Sequence, residues 1–211
     1  MTFKATTTAA LVALSTTFAA GTALAQEEVR PGVFFAGEVE PADSPRGEMQ
    51  TLIFELATAW ADCNSDAMSG AVAENVKFSY PTTAYEGLPT MLEDLNTFCG
   101  MATDVSIYMP EDAFYIDLEE GRVAVELQFR AFQRGAKQVV NDVWVATVED
   151  GKITIIKEYL DGRVKDLQAL GVLQLEESPA FLTPWPPRTE EWAECFPIAK
   201  AAPVNTCPPT E

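Results

Sequence analysis

The sequence predicts one α+β domain, with helices first and antiparallel strands after. Apolar residues recur at helical spacing in Glu48–Asp62 and again from Met91 to Phe98. From Asp104 to Tyr159 they alternate instead, as on half-buried strands. Turn signals such as Asp150-Gly151 separate the alternating runs. No internal repeat is present, and the length suits one domain of ordinary size with a real core.

Residues 26–47 carry Pro31, Gly32, Pro41, Pro45 and Gly47 with little periodicity, so an irregular lead-in is expected. Leu52, Ile53, Leu56, Ala59 and Trp60 then share one helical face. Ser65 suits the cap of a second short helix through Val72. Val76, Phe78 and Tyr80 alternate with Lys77 and Ser79, which marks a strand stopped by Pro81. Residues 81–88 read as a loop. Met91, Leu92, Leu95 and Phe98 mark a third helix ending at Gly100. Strands follow at Asp104–Met109, Ala113–Leu118, Arg122–Phe132, Gln138–Val148 and Lys152–Tyr159. Within Arg122–Phe132, Val123, Val125, Leu127 and Phe129 share a face. Arg163–Leu170 reads as a short helix closed by Gly171, with Asp161 its expected N-cap. The domain is thus expected over residues 48–172.

Both ends read differently. Lys4, an apolar run from Ala9 to Ala20 and Ala23-Leu24-Ala25 form the three parts of a cleavable signal peptide over residues 1–25. That run is too short to span a bilayer, so the expected destination is the periplasm or the exterior, with no membrane insertion after cleavage. The tail, residues 173–211, holds eight prolines from Pro179 to Pro209 together with Phe181, Trp185, Trp192 and Phe196. The prolines oppose regular structure and the aromatics oppose a free tail, so a segment packed on the domain is expected.

The net charge is −18, and loss of Lys4 with the leader takes it to −19. So acidic a chain repels phosphate backbones and anionic lipid heads, which argues against a nucleic-acid partner. The chain has no histidine. That excludes the serine and cysteine triads in their usual forms. With no Cys-x-x-Cys spacing, and no calcium-type loop, neither a metal nor another cofactor is expected. Four cysteines in an exported chain read as two disulfides, with three possible pairings. Proximity along the chain favours Cys63–Cys99 and Cys195–Cys207.

The run Ala73-Glu74-Asn75-Val76-Lys77-Phe78-Ser79-Tyr80-Pro81, followed by Tyr85-Glu86-Gly87, resembles the first strand and loop of the nuclear transport factor 2-like superfamily. The run from Asp150 to Asp161 resembles that superfamily's last strand, especially in its SnoaL-like and limonene-epoxide-hydrolase-like members. The resemblance implies a cone: a strongly curved antiparallel sheet wrapped around the N-terminal helices, with a pocket at its open end. It implies no single activity, since such folds host isomerases, cyclases, dehydratases, hydrolases and assembly modules. The ketosteroid isomerases' base falls at Tyr80 here, and their helix-borne tyrosine near Leu56. Their oxyanion-hole carboxyl falls at or beside Asp142. The epoxide hydrolases' Arg and Asp fall at about Val125 and Leu127, and their remaining carboxylate at Glu158. One element of each scheme is kept and neither is complete.

Three residues can carry chemistry on this reading: Glu158, Asp142 and Tyr80. Alternation places Thr154, Ile156 and Glu158 on the face that the resemblance makes interior, while Asp142 shares a face with Trp144 and Tyr80 shares one with Phe78. If they converge, two close carboxyls would hold a proton near neutral pH and a phenol could donate to an oxyanion. The bland alternative for each is a solvated acid or a core tyrosine. The expected function is binding of a small apolar molecule in a pocket lined by Leu56, Trp60, Phe78, Val125, Leu127, Trp144 and Ile156. The alternatives are a cofactor-independent acid–base enzyme and a homodimeric or partner-docking module.

Overall fold

Ser44 starts the first helix: its Oγ accepts a hydrogen bond from the Gly47 N–H at 3.0 Å. Pro45 follows at the first helical position, where a missing N–H costs nothing. The computed structural model describes residues 27–171 except 82, 134 and 161 and the side chains of 163 and 166. The leader, the tail, Cys195, Cys207 and the Asp161 cap therefore lie outside the described residues. Helix α1 spans Pro45–Ala61 and α2 spans Ser65–Ala71. The cap of α2 is Asn64, not Ser65, its side chain accepting from the Ala67 N–H at 2.9 Å. Asn64→Ala should cost about 1 kcal/mol of stability, read from a denaturant midpoint. Helix α3 spans Leu88–Cys99 and α4 spans Gly162–Ala169.

Nine strands form one sheet: β1 (Glu27–Arg30), β2 (Val33–Phe35), β3 (Val72–Tyr80), β4 (Thr83–Glu86), β5 (Ala102–Met109), β6 (Phe114–Asp117), β7 (Arg122–Gln133), β8 (Ala136–Glu149) and β9 (Lys152–Glu158). The order is β1-β2-β5-β7-β8-β9-β3-β4, with β6 also paired to β7. The sheet is therefore open, with β1 and β4 at its ends. One edge of β7 is shared, its start taken by β6 and its remainder by β5.

Three expectations need correction. The lead-in is not irregular: it contains β1 and β2, and α1 begins three residues before Glu48. Those strands are too short for alternation to show, yet Val33 and Phe35 are buried in the core. Residues 81–88 are not a plain loop, since Thr83–Glu86 pairs with the end of β3. The sheet is mixed rather than antiparallel, because β2 runs parallel to β5 and β3 parallel to β9. Both β2 and β3 precede intervening helices, and periodicity along one strand carries no information about its partner's direction.

The Asp150-Gly151 hairpin forms as expected, both residues having positive φ, as a type I′ turn requires. Alternation fails once inside β9. The β8–β9 register shifts between Thr147 and Val148, so Ile153 and Ile156 are both fully buried although three apart. Thr154 is displaced from the core face and bonds the Thr147 carbonyl instead. Most of the core lies between α1, α2, α3 and one face of the sheet, around Phe54, Met68, Met91 and Leu127. Cys63 and Cys99 are bonded, with a Cα–Cα distance of 5.9 Å. The bridge ties the α1–α2 junction to the end of α3.

Candidate functional site

Strand register brings the two predicted carboxyls together. Trp144 of β8 lies directly opposite Glu158 of β9, and Asp142 is two residues from Trp144 on the same face. Glu158 and Asp142 are thus diagonal neighbours across an antiparallel pair, within reach for a long side chain. The two carboxyls hydrogen-bond each other, and the Trp144 indole N–H donates to Asp142 Oδ2 at 3.1 Å. Asp142 is buried, and its Oδ1 meets no fixed N–H or O–H donor. Glu158 is half-buried as a residue, with its carboxyl end packed among protein atoms.

This arrangement raises the pKa of both carboxyls. Burial pushes the Asp142 carboxyl up, while the Glu158 hydrogen bond, the Val143 N–H, the Trp144 indole and Lys165 oppose the shift. Burial pushes Glu158 further, and the neighbouring Asp142 charge and hydrogen bond add to it; Lys165 and Trp144 oppose. The pair therefore holds a proton between its two carboxyls more tightly than free carboxyls would. Two carboxylates this close cannot both ionise cheaply in a desolvated site.

Both carboxyls open onto a cavity of about 760 Å³. Its walls include Leu56 and Trp60 of α1, Phe78 and Tyr80 of β3, and Trp144 and Ile156 beside the acid pair. Its other side is formed by Asp94, Thr97 and Phe98 of α3, Phe129 and Gln133 of β7, and Lys165 of α4. The rings form a connected arc. Phe78 stacks on Tyr85 at 5.2 Å, Trp60 packs edge-on to Phe98 at 5.5 Å, and Phe98 tilts against Phe129 at 5.8 Å. Trp60 joins the two halves, 6.5 Å from Phe78.

Five of the seven predicted lining residues thus face the cavity: Leu56, Trp60, Phe78, Trp144 and Ile156. Val125 and Leu127 do not. Both are fully buried members of the core, deeper along β7 than Phe129, which takes the wall position. Tyr80 joins the wall and packs on Phe78 at 5.7 Å.

Sequence reasoning missed Tyr85, Asp94 and Lys165. Tyr85 donates its hydroxyl to Asp94 Oδ2 at 3.0 Å. Burial and then the Asp94 charge hold that hydroxyl far above the usual tyrosine range, so it stays a donor. Reading 81–88 as a loop hid Tyr85, whose register partner is Phe78. Asp94 flanks the apolar stripe of α3, one residue before Leu95, and that acid at the edge of an apolar face was the available signal. Lys165 is carried in by α4, and nothing local in the sequence shows where that helix docks. Gln168 holds it there: its side-chain amide accepts from the Val139 N–H at 3.0 Å and donates to the Val139 carbonyl at 2.7 Å, beyond the end of β9. Lys165 Nζ then faces the Phe129 ring at 5.5 Å.

No family model and no curated protein matches the chain. Solved structures do. An LEH-like epoxide hydrolase of M. tuberculosis is 15% identical, with TM-score 0.51, over 59% of this chain and 90% of that one. TsrD from Streptomyces laurentii is 14% identical, with TM-score 0.52, over 59% and 96%. A chain assigned as a SnoaL-like polyketide cyclase from Shewanella denitrificans is 12% identical, with TM-score 0.52, over 59% and 97%. The fold is that of the nuclear transport factor 2-like superfamily. At these identities the likeness concerns the nuclear transport factor 2-like fold, and activity has to be argued from the cavity.

Proposed function

We propose that this nuclear transport factor 2-like domain binds a small, largely apolar molecule with its polar end against Asp142 and Glu158. One observation carries the reading: an aromatic cavity of about 760 Å³ that ends on a buried, hydrogen-bonded carboxyl pair. Apolar walls supply affinity, and a few convergent polar groups supply orientation. On this reading the sheet wraps the helices as a cone and the cavity is its open end. Export is part of the proposal, supported by the leader-like residues 1–25 and by the Cys63–Cys99 bridge, since such bridges persist in oxidising compartments.

Binding is tested with N-phenyl-1-naphthylamine, a neutral apolar probe whose fluorescence rises when it leaves water. Saturable binding is expected, and Trp60→Ala should weaken it about tenfold, the loss of about 1.4 kcal/mol of contact. Binding that never saturates would sink the reading.

The acid pair favours a second reading, cofactor-independent proton transfer. A pair sharing one proton offers a carboxylate base and a carboxylic acid at the same point, with Tyr80 on the cavity wall close by. This is tested by incubating candidate carbonyl compounds in deuterated solvent. Exchange of a carbon-bound hydrogen by the protein, and not by Glu158→Gln, is the expected result. No exchange across a broad set of compounds leaves the domain a binding module.

A further inference from the structure

We propose that the cavity's occupant is an organic cation, with its ammonium centre against Asp142 and Glu158 and its hydrocarbon part among the aromatic rings. The inference rests on the reading of this cavity as a binding site and names the class of molecule it takes.

Charge balance is the first reason. Three carboxyls from three elements line the cavity: Asp94 from α3, Asp142 from β8 and Glu158 from β9. Lys165 is the one ammonium among the described lining residues. With one proton shared by the acid pair, the wall still carries two negative charges against one positive. A neutral occupant leaves that imbalance against largely aromatic walls, an anion deepens it, and a monovalent cation cancels it.

The rings are the second reason. Trp60, Phe78, Tyr80, Phe98, Phe129 and Trp144 meet the same space. Ring faces carry partial negative charge, and a cation set over them is attracted. The third reason is that the fold already places an ammonium there. Lys165 Nζ sits 5.5 Å from the Phe129 centroid, and its charge favours ionisation of both Asp142 and Glu158. The fourth is Asp142 Oδ1, buried at the cavity wall with no hydrogen-bond partner apart from the proton the acid pair shares. An ammonium N–H, or the polarised methyls of a quaternary ammonium, would answer it. The −18 charge of the whole chain adds to this by concentrating cations near the surface.

A cation beside the pair favours loss of its shared proton, so binding should release a proton and strengthen as pH rises. The charged and titratable groups around the pair are Lys165 on α4, Asp94 on α3, Tyr80 on β3 and Tyr85 on β4. The cavity residues of α1 and β7, namely Leu56, Trp60, Phe129 and Gln133, do not titrate.

The test compares phenyltrimethylammonium with tert-butylbenzene, which has the same shape and no charge. Both are titrated into the full chain at low salt, with tryptophan fluorescence as the readout. The cation should bind at least about tenfold more tightly, and its affinity should rise with pH while that of the hydrocarbon does not. Glu158→Gln should weaken the cation about tenfold and leave the hydrocarbon unchanged. Lys165→Gln, which keeps the acid pair, should tighten the cation by removing a competitor; it also decides the matter if Glu158→Gln fails to fold and loses both ligands. Equal or tighter binding of tert-butylbenzene overturns the cation inference and leaves the apolar-pocket reading standing. Failure of both probes to bind overturns both. A cation affinity that is the same in wild type and both variants places the site elsewhere and overturns the inference.

Discussion

Glu158→Gln should flatten the dependence of folding stability on pH and remove any proton transfer the cavity supports. In the folded state Asp142 and Glu158 both titrate above their ordinary values of 3.8 and 4.5. Above those values the unfolded chain has released protons that the folded chain still holds. The stability linked to the pair is therefore full below about pH 4 and falls as pH rises through the folded values. Each pH unit of that window costs about 1.4 kcal/mol per retained proton. Gln at 158 keeps the shape and a hydrogen-bond donor to Asp142 but cannot ionise. The variant should match wild type in acid and gain on it toward neutral and alkaline pH, read from urea midpoints across that range. The comparison matters because repulsion among the other carboxylates of this acidic chain also weakens it at high pH, and only the difference between the two proteins belongs to the pair. Parallel curves for both proteins would mean that no proton is shared. If the cavity catalyses proton transfer, the same variant should lose about 10²- to 10⁴-fold in rate, the usual contribution of a positioned acid or base.

Replacing Cys63 and Cys99 together by Ala should lower stability by about 3 kcal/mol and the melting temperature by about 10 °C. The two residues are 36 apart, so the bridge closes a loop whose freedom in the unfolded chain is large. Chain-entropy reasoning for such a loop gives about 4 kcal/mol, and engineered and natural bridges commonly deliver somewhat less. Trp60 and Phe98, which pack on each other across the cavity wall, lie at the ends of α1 and α3, close in sequence to Cys63 and Cys99. The variant should therefore also weaken probe binding. Calorimetry with and without a reductant checks the assignment. A wild-type protein whose melting does not respond to reductant, and matches the double variant, would show that the bridge contributes nothing.

Local chemistry made most elements legible. Helical spacing of Leu52, Leu56 and Trp60, alternation of Val123, Val125 and Leu127, and the Asp150-Gly151 turn each reflect a backbone preference that acts within a few residues. The same locality explains the Cys63–Cys99 expectation, which used only closeness along the chain. It also explains the errors. The strands β1, β2 and β4 have three or four residues, too few to show a period. The register shift in β8–β9 that buries both Ile153 and Ile156 is a property of two strands together.

The sequence by itself determined the residue types available: no histidine, a strong excess of acids, and the Asp142, Glu158 and Tyr80 groups on faces that alternation could assign. Tertiary structure alone decided that Glu158 sits diagonal to Asp142, that Phe129 rather than Val125 or Leu127 forms the wall, and that Asp94, bonded by Tyr85, and Lys165 join it. The physical reason is that alternation specifies which side of a strand a residue takes. How far along that strand the core ends and the cavity begins depends on which helices cover it.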